Sequence, residues 1–188
     1  MCVALLLLSY MVGSVPTAIW LARRHGVDIM AVGTRNPGAA NVFRSVSKAA
    51  GVMVLAADVG KGVLPVVAAD FLRCPSWVAA LSGLAALVGH WYPALNRFQG
   101  GQGLATALGI TVVMAPTASL LPFLAGVASL GVLRSTGHAA AVYYAALVVV
   151  LAARGVPWWT TALALLPGLA VFLRSAAFTR ASTARPAL

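Results

Sequence analysis

Glutamate is absent from this sequence, and aspartate occurs only at positions 28, 58 and 70. So sparse an acid set offers no carboxylate pair for general acid–base work. His138 sits beside Ser135 and Thr136 with no acid near enough in sequence to complete a triad, and it reads as an interfacial residue. Cysteine is limited to Cys2 and Cys74, a lone pair that matches no metal or disulfide spacing. No spacing in the chain supports zinc, flavin or nucleotide binding, so neither a metal nor a cofactor is expected. Group transfer, if it occurs, must rely on hydrogen-bond donors and cations.

Charge of either sign is scarce, at 9% of residues, whereas 61% are hydrophobic and the mean hydropathy is +0.94. That composition fits serial membrane spans rather than one soluble core. In lipid every backbone polar group must be satisfied within its own segment, so the spans are expected to be helices and the fold all-α. Val3 to Ala22 is 20 residues without a charge and follows no basic stretch, which predicts a retained span rather than a cleaved signal peptide. Further apolar stretches run near 49–69, 74–95, 104–115, 117–133, 138–153 and 155–173. The whole of 1–188 thus reads as a single integral membrane domain. The 104–115 stretch would rise only about 18 Å against a hydrocarbon core of about 30 Å. It is either a tilted stub or the first half of a helix continued through Pro116.

Cations choose between these counts, because cytoplasmic loops collect Lys and Arg. Seven segments with the N-terminus outside put Arg23, Arg24, Arg35, Arg44, Lys48, Arg97, Arg134, Arg174, Arg180 and Arg185 inside, and only Arg73 and Arg154 outside. Merging the two stretches leaves seven inside against five outside. The sequence therefore predicts seven transmembrane helices, one of them short, with a cytoplasmic C-terminus. The net charge of +10 follows from this topology and from attraction to anionic membrane lipids, and calls for no nucleic acid. Trp20, Trp77, Trp91, Tyr92, Trp158 and Trp159 fall near span ends and read as an aromatic belt. Gly13, Ser14 and Pro16 mark close packing or a bend in the first span. Asp58 and Lys61 share one face of the second and are expected to pair, on the side turned away from lipid.

Two polar segments interrupt the hydrocarbon. The first, VGTRNPGAANVFR, runs from Val32 to Arg44. Asn36 before Pro37 resembles a helix start, with Asn as cap. Gly33 and Gly38 allow close backbone approach, and Asn41, Arg44 and Lys48 follow at spacings that place them on one face of that helix. An anion at the helix start would meet backbone donors, the Thr34 hydroxyl, Arg35 and Arg44. For the cations alone, a short interfacial helix touching lipid phosphates is the simpler reading. The second segment, GHWYPALNRFQGGQG, spans 89–103, and its Gly100, Gly101 and Gly103 can form a nest of amides before the short apolar stretch. GGxG alone is equally a flexible turn, and His90 is equally a packed histidine or a ligand.

Taken in order, GSVPTAIWLARRHGVDIMAVGTRNPGAANVFR, AADVGKGVLPV and GHWYPALNRFQGGQGLATALG resemble the acyl-phosphate-dependent glycerol-3-phosphate acyltransferases of bacterial membranes. The likeness is dense from residue 13 to about 116. It implies a seven-span enzyme of the bacterial inner membrane that works on the cytoplasmic side, and a monomer is expected. Its substrates would be acyl phosphate and glycerol 3-phosphate and its product lysophosphatidic acid, with no acyl-CoA and no metal. The first family motif maps onto Gly33, Thr34, Asn36, Gly38, Asn41 and Arg44, with Thr34, Asn36 and Arg44 in the catalytic roles. The second maps onto His90 and the run Gly100, Gly101, Gln102, Gly103 as substrate-binding residues. Gln99 and Gln102 stand where the family carries lysines, and of its tail motif only Arg174 and Arg180 remain. Arg35, foreign to the family pattern, is expected to supply the cation that Gln102 cannot. The alternative is a non-catalytic relative that binds phosphorylated lipid precursors or an enzyme partner.

Overall fold

The computed structural model describes residues 2–183, with side chains described to residue 175; the side chains of Arg180 and Arg185, both counted above as cytoplasmic, lie outside that range. Every regular element among the described residues is helical. α1 (Cys2–Gly13) and α2 (Thr17–Arg24) make up the first apolar stretch, and α3 (Ala39–Ser45) is a short helix in the polar segment after it. There follow α4 (Lys48–Phe71), α5 (Ser76–Trp91) with a 3-10 turn at Ala94–Asn96, and α6 (Leu104–Met114). The last three are α7 (Pro116–Leu133), α8 (Thr136–Ala153) and α9 (Trp158–Thr183). Cys2–Arg24, Lys48–Phe71, Ser76–Asn96, Pro116–Leu133 and Thr136–Ala153 are long and apolar enough to cross a membrane, and Leu104–Met114 is a shorter apolar helix. The protein is an all-helical, polytopic membrane protein.

Small residues set the helix spacing, because lipid offers no hydrophobic force between helices and close backbone approach has to supply the contact. A Cβ on Gly13 would run into the Ala86 backbone, and one on Gly89 into the Tyr10 carbonyl, so α1 and α5 cross glycine to backbone. α4 and α6 repeat the device, with Gly62 against the Thr106 carbonyl and Gly109 against that of Val59. The Gly13–Pro16 stretch is also a break: α1 stops at Gly13 and Pro16 precedes α2. Both readings of that stretch therefore hold together.

The chain doubles back at Ala115. Its φ of −138° and ψ of 59° end α6, and Pro116 opens α7 where a missing N–H leaves no bond unmade. Leu104 at the start of α6 and Leu130 near the end of α7 line one cavity together with Thr136 at the start of α8, so α6 and α7 run in opposite senses. Arg174 of α9 stacks on Trp91 at the end of α5, which brings that part of α9 to the same side.

Three sequence expectations are corrected. Cys2 and Cys74 form a disulfide, with Cα atoms 6.3 Å apart. The spacing of 72 residues hid it because the start of α1 and the exit of α4 meet only in the folded bundle. Lys48 does not share a helix with Asn41 and Arg44: Val46 (φ −120°, ψ −77°) ends α3, and the Ser47 hydroxyl accepts from Ala50 N at 3.1 Å as the cap of α4. Asn36 is not the cap of α3, whose first carbonyl acceptor is Gly38.

Candidate functional site

The polar segment after α2 is held by apolar packing at two points. Ile29 and Val42 are buried with Ala18, Ile19 and Ala22 of α2 and with Ala50 and Val54 of α4. Asn41, itself buried, then ties the loop to α3. Its Nδ2 group donates to the carbonyls of Val32 at 3.1 Å, Asn36 at 3.2 Å and Ile29 at 3.3 Å. Its Oδ1 accepts from Thr34 N at 3.1 Å and from the Ser45 hydroxyl at 3.2 Å. Gly33 is needed for this closure, since its φ is +56° and a Cβ there would overlap Asn41 Oδ1. Every polar atom of Asn41 is thus engaged by the protein, and Asn41 shapes the loop from within.

A cavity of about 370 Å³ lies beside this loop, bounded by the start of α6 and by the α7–α8 hairpin. Thr34, Asn36, Gly38, Asn41 and Arg44 line it from one side and His90, Gln102 and Gly103 from another. Leu55, Leu104, Leu108, Phe123, Val127 and Leu130 supply its apolar surface. Most of the residues singled out from sequence therefore converge. Arg35 does not: it is exposed, holds a φ of +54° and is absent from the lining. Gly33 serves the loop rather than the cavity. Gly100 and Gly101 line a smaller cavity behind the first, between Pro16, Pro37 and Lys61.

The glycine run is pinned to the end of α5. Trp91 Nε1 donates to the Gln102 carbonyl at 2.8 Å, and Gly103 holds a φ of +87° where a Cβ would press on the Leu87 and Trp91 side chains. Trp91, read from sequence as part of a lipid-facing belt, instead lies half-buried between this run and Arg174. The Arg174 guanidinium sits 5.1 Å from the Trp91 ring and 4.7 Å from that of Tyr92, and donates to the Trp91 carbonyl at 3.4 Å. The run leads directly into α6, whose opening N–H groups have no partner within the helix. Leu104 and Ala105, which carry such groups, line the cavity.

Asp58 and Lys61 pair as expected, Nζ to Oδ1 at 2.7 Å, and both are buried. A third member was missed. His90 Nδ1 lies 3.7 Å from the same Asp58 oxygen, and Asp58 and His90 together separate the two cavities. The missed signal was the polar residue near the end of an otherwise apolar helix. Also missed were Tyr143 and Tyr144, which line the cavity from α8. Their spacing from Thr136, Ala139 and Ala140 repeats at three and four residues, the mark of one helical face.

Fold and site together define a helical membrane protein in which one cation, Arg44, and the opening residues of α6 lie at the edge of a largely apolar cavity. Comparison with known proteins gives the same direction. The family model described as "Glycerol-3-phosphate acyltransferase" matches residues 3–183. Glycerol-3-phosphate acyltransferase 1 of Deinococcus radiodurans is 39% identical over 159 residues, 84% of this chain and 79% of that protein. The enzyme of that name from Rubrobacter xylanophilus is 46% identical over 118 residues, which span 63% of this chain and 59% of the relative's length. Crystal structures of PlsY, an integral membrane glycerol 3-phosphate acyltransferase, superpose with a TM-score of 0.83 for the glycerol 3-phosphate form and 0.81 for the lysophosphatidic acid form. Identity to them is 32% and 31%, covering 98% of this chain and 93% of theirs. The chain belongs to the glycerol-3-phosphate acyltransferase family.

Proposed function

We propose that this protein transfers a fatty acyl group from acyl phosphate to the 1-hydroxyl of glycerol 3-phosphate and so makes lysophosphatidic acid for phospholipid synthesis. The observation that carries the reading is the single cavity that joins Arg44, Thr34, Asn36 and the start of α6 to an apolar surface. Such a space suits an anion with a hydrocarbon tail. The glycerol 3-phosphate and lysophosphatidic acid forms of the related crystal structures support the same substrate and product classes.

The chemistry needs little from the protein beyond placement and charge. Arg44 and the open amides at 104 and 105 hold phosphoryl oxygens, and Thr34 and Asn36 add neutral donors at the rim. The glycerol oxygen forms its bond to the acyl carbon, the bond from that carbon to the phosphate oxygen breaks, and the departing phosphate carries off the hydroxyl proton. Holding the two reactants in line supplies most of the rate gain, and the amides stabilise the oxyanion formed on the way. Asp58 reaches the cavity but is bound to Lys61, so it is not a free base.

The disulfide supports the sidedness argued from charge. Thiols stay reduced in bacterial cytoplasm and oxidise outside it, so the Cys2–Cys74 end faces outward and the cavity end inward. Seven crossings of the bacterial inner membrane, with the site toward the cytoplasm, satisfy both arguments.

The test is purified protein in lipid nanodiscs given palmitoyl phosphate and glycerol 3-phosphate. Phosphate release matched by lysophosphatidic acid is expected. Tight binding of both substrates without product would replace this reading with that of a non-catalytic relative.

A further inference from the structure

Along α8, the residues facing the cavity change abruptly in size. Thr136, Ala139 and Ala140 leave space for about two helical turns, and then Tyr143 and Tyr144 close it. The open stretch from Thr136 to Tyr143 is about 10 Å long at 1.5 Å per residue. Phe123 and Gly126 of α7 flank the same end.

The two rings are built as a fixed wall. They meet edge to face with centroids 4.9 Å apart. The Tyr143 hydroxyl donates to Ser119 Oγ on α7 at 3.2 Å, and the Tyr144 hydroxyl lies 3.1 Å from Thr111 Oγ1 on α6. Thr111 is in turn held by the carbonyls of Ala107 at 2.9 Å and Ala164 of α9 at 3.2 Å. Room for the rings comes from glycines on the neighbouring helices: a Cβ on Gly168 would overlap the Tyr144 ring, and one on Gly126 would lie 3.3 Å from Tyr143 Cβ. With one hydroxyl anchored to α7 and the other to α6, neither ring can swing aside without breaking a hydrogen bond.

We infer that Tyr143 and Tyr144 are the chain-length stop for the acyl group, and that the small residues Ala139 and Ala140 set the width of the channel leading to them. The inference rests on the acyltransferase reading, because it takes the apolar part of the cavity as the seat of the acyl tail. An acyl chain gains affinity with each methylene it buries until its end reaches the rings; beyond that point each further carbon must stay outside or displace a packed tyrosine.

The experiment compares wild type with Ala140→Phe, Tyr143→Ala and Tyr143→Phe in nanodiscs, using a series of saturated acyl phosphates of increasing length. Relative kcat/KM across the series is read, together with the rise in melting midpoint that each length produces. Ala140→Phe, which adds bulk without removing a hydrogen bond, is expected to cut the response to the longest chains by about tenfold while sparing the shortest. Tyr143→Ala is expected to move the optimum to longer chains. Tyr143→Phe, which keeps the ring but loses the bond to Ser119, is expected to shift the optimum less than Tyr143→Ala does. If wild type transfers acyl groups but both Ala140→Phe and Tyr143→Ala retain its length profile, the stop is elsewhere and only this inference falls. If wild type neither turns over nor is stabilised by any chain length, the acyltransferase reading falls and takes the inference with it.

Discussion

Two polar regions sit within this apolar chain, and they handle their hydrogen bonds in opposite ways. At Asp58, Lys61 and His90 the polar groups are buried and turned on one another, with the Asp58–Lys61 ion pair at 2.7 Å. At the cavity rim Arg44 and the opening residues of α6, Leu104 and Ala105, line open space. Burying a charge is costly unless it is paired, so the closed group is a structural commitment. Open donors in a bilayer protein have value only when something fills them. Asn41 stands between the two cases: it lines the cavity, yet its amide is consumed by the loop. The contrast separates residues that build the site from residues that serve a ligand.

Substitutions can break that contrast or sharpen it. The largest effect is expected from Asp58→Asn, which strands buried Lys61 and should cost about 3–5 kcal/mol of stability. A melting curve in detergent would record it, and adding Lys61→Met should restore most of the loss. Were the single variant as stable as wild type, the closed region would not be holding the bundle. Next comes Cys2→Ser at the far end from the cavity, expected to remove about 2–4 kcal/mol of stability without altering KM. An equal loss from added reductant would attribute the effect to the bond itself.

Arg44→Ala reverses the pattern. Losing a charge-assisted bond of about 1.5–3 kcal/mol should lower kcat/KM by roughly ten- to a hundredfold with an unchanged melting midpoint. Gln102→Lys, on the lining, is expected to raise kcat/KM by about tenfold, since a cation there doubles the strength of a phosphate contact. The smallest effect belongs to Arg35→Gln, which should stay within about 0.5 kcal/mol in either measure because Arg35 lies off the cavity. A large loss from that variant would restore Arg35 to the site and would show that the cavity rim extends past its present lining.

Much of the architecture was legible in one dimension. An apolar run of sufficient length must become a helix in lipid, and the breaks between runs carry the cations, so most helix borders emerged from hydropathy to within a few residues, whereas α9 runs on to Thr183, well past the expected end at 173. Asp58 and Lys61 were legible for the same reason, being three apart on one helix. The second polar segment was legible as a glycine run ahead of a helix, which is where it stands.

What folding added concerns satisfaction of polar atoms, and that depends on elements distant in the chain. Nothing near Asn41 announces that Val32, Ile29 and Asn36 will each present a carbonyl to it. Trp91 reads as a lipid anchor until Gln102 arrives from the glycine run and Arg174 from α9. Cys2 and Cys74 become partners only because two helices place their ends together. Hydropathy is a property of each segment, whereas a hydrogen bond, a disulfide or a cavity wall belongs to atoms that meet only when the segments pack.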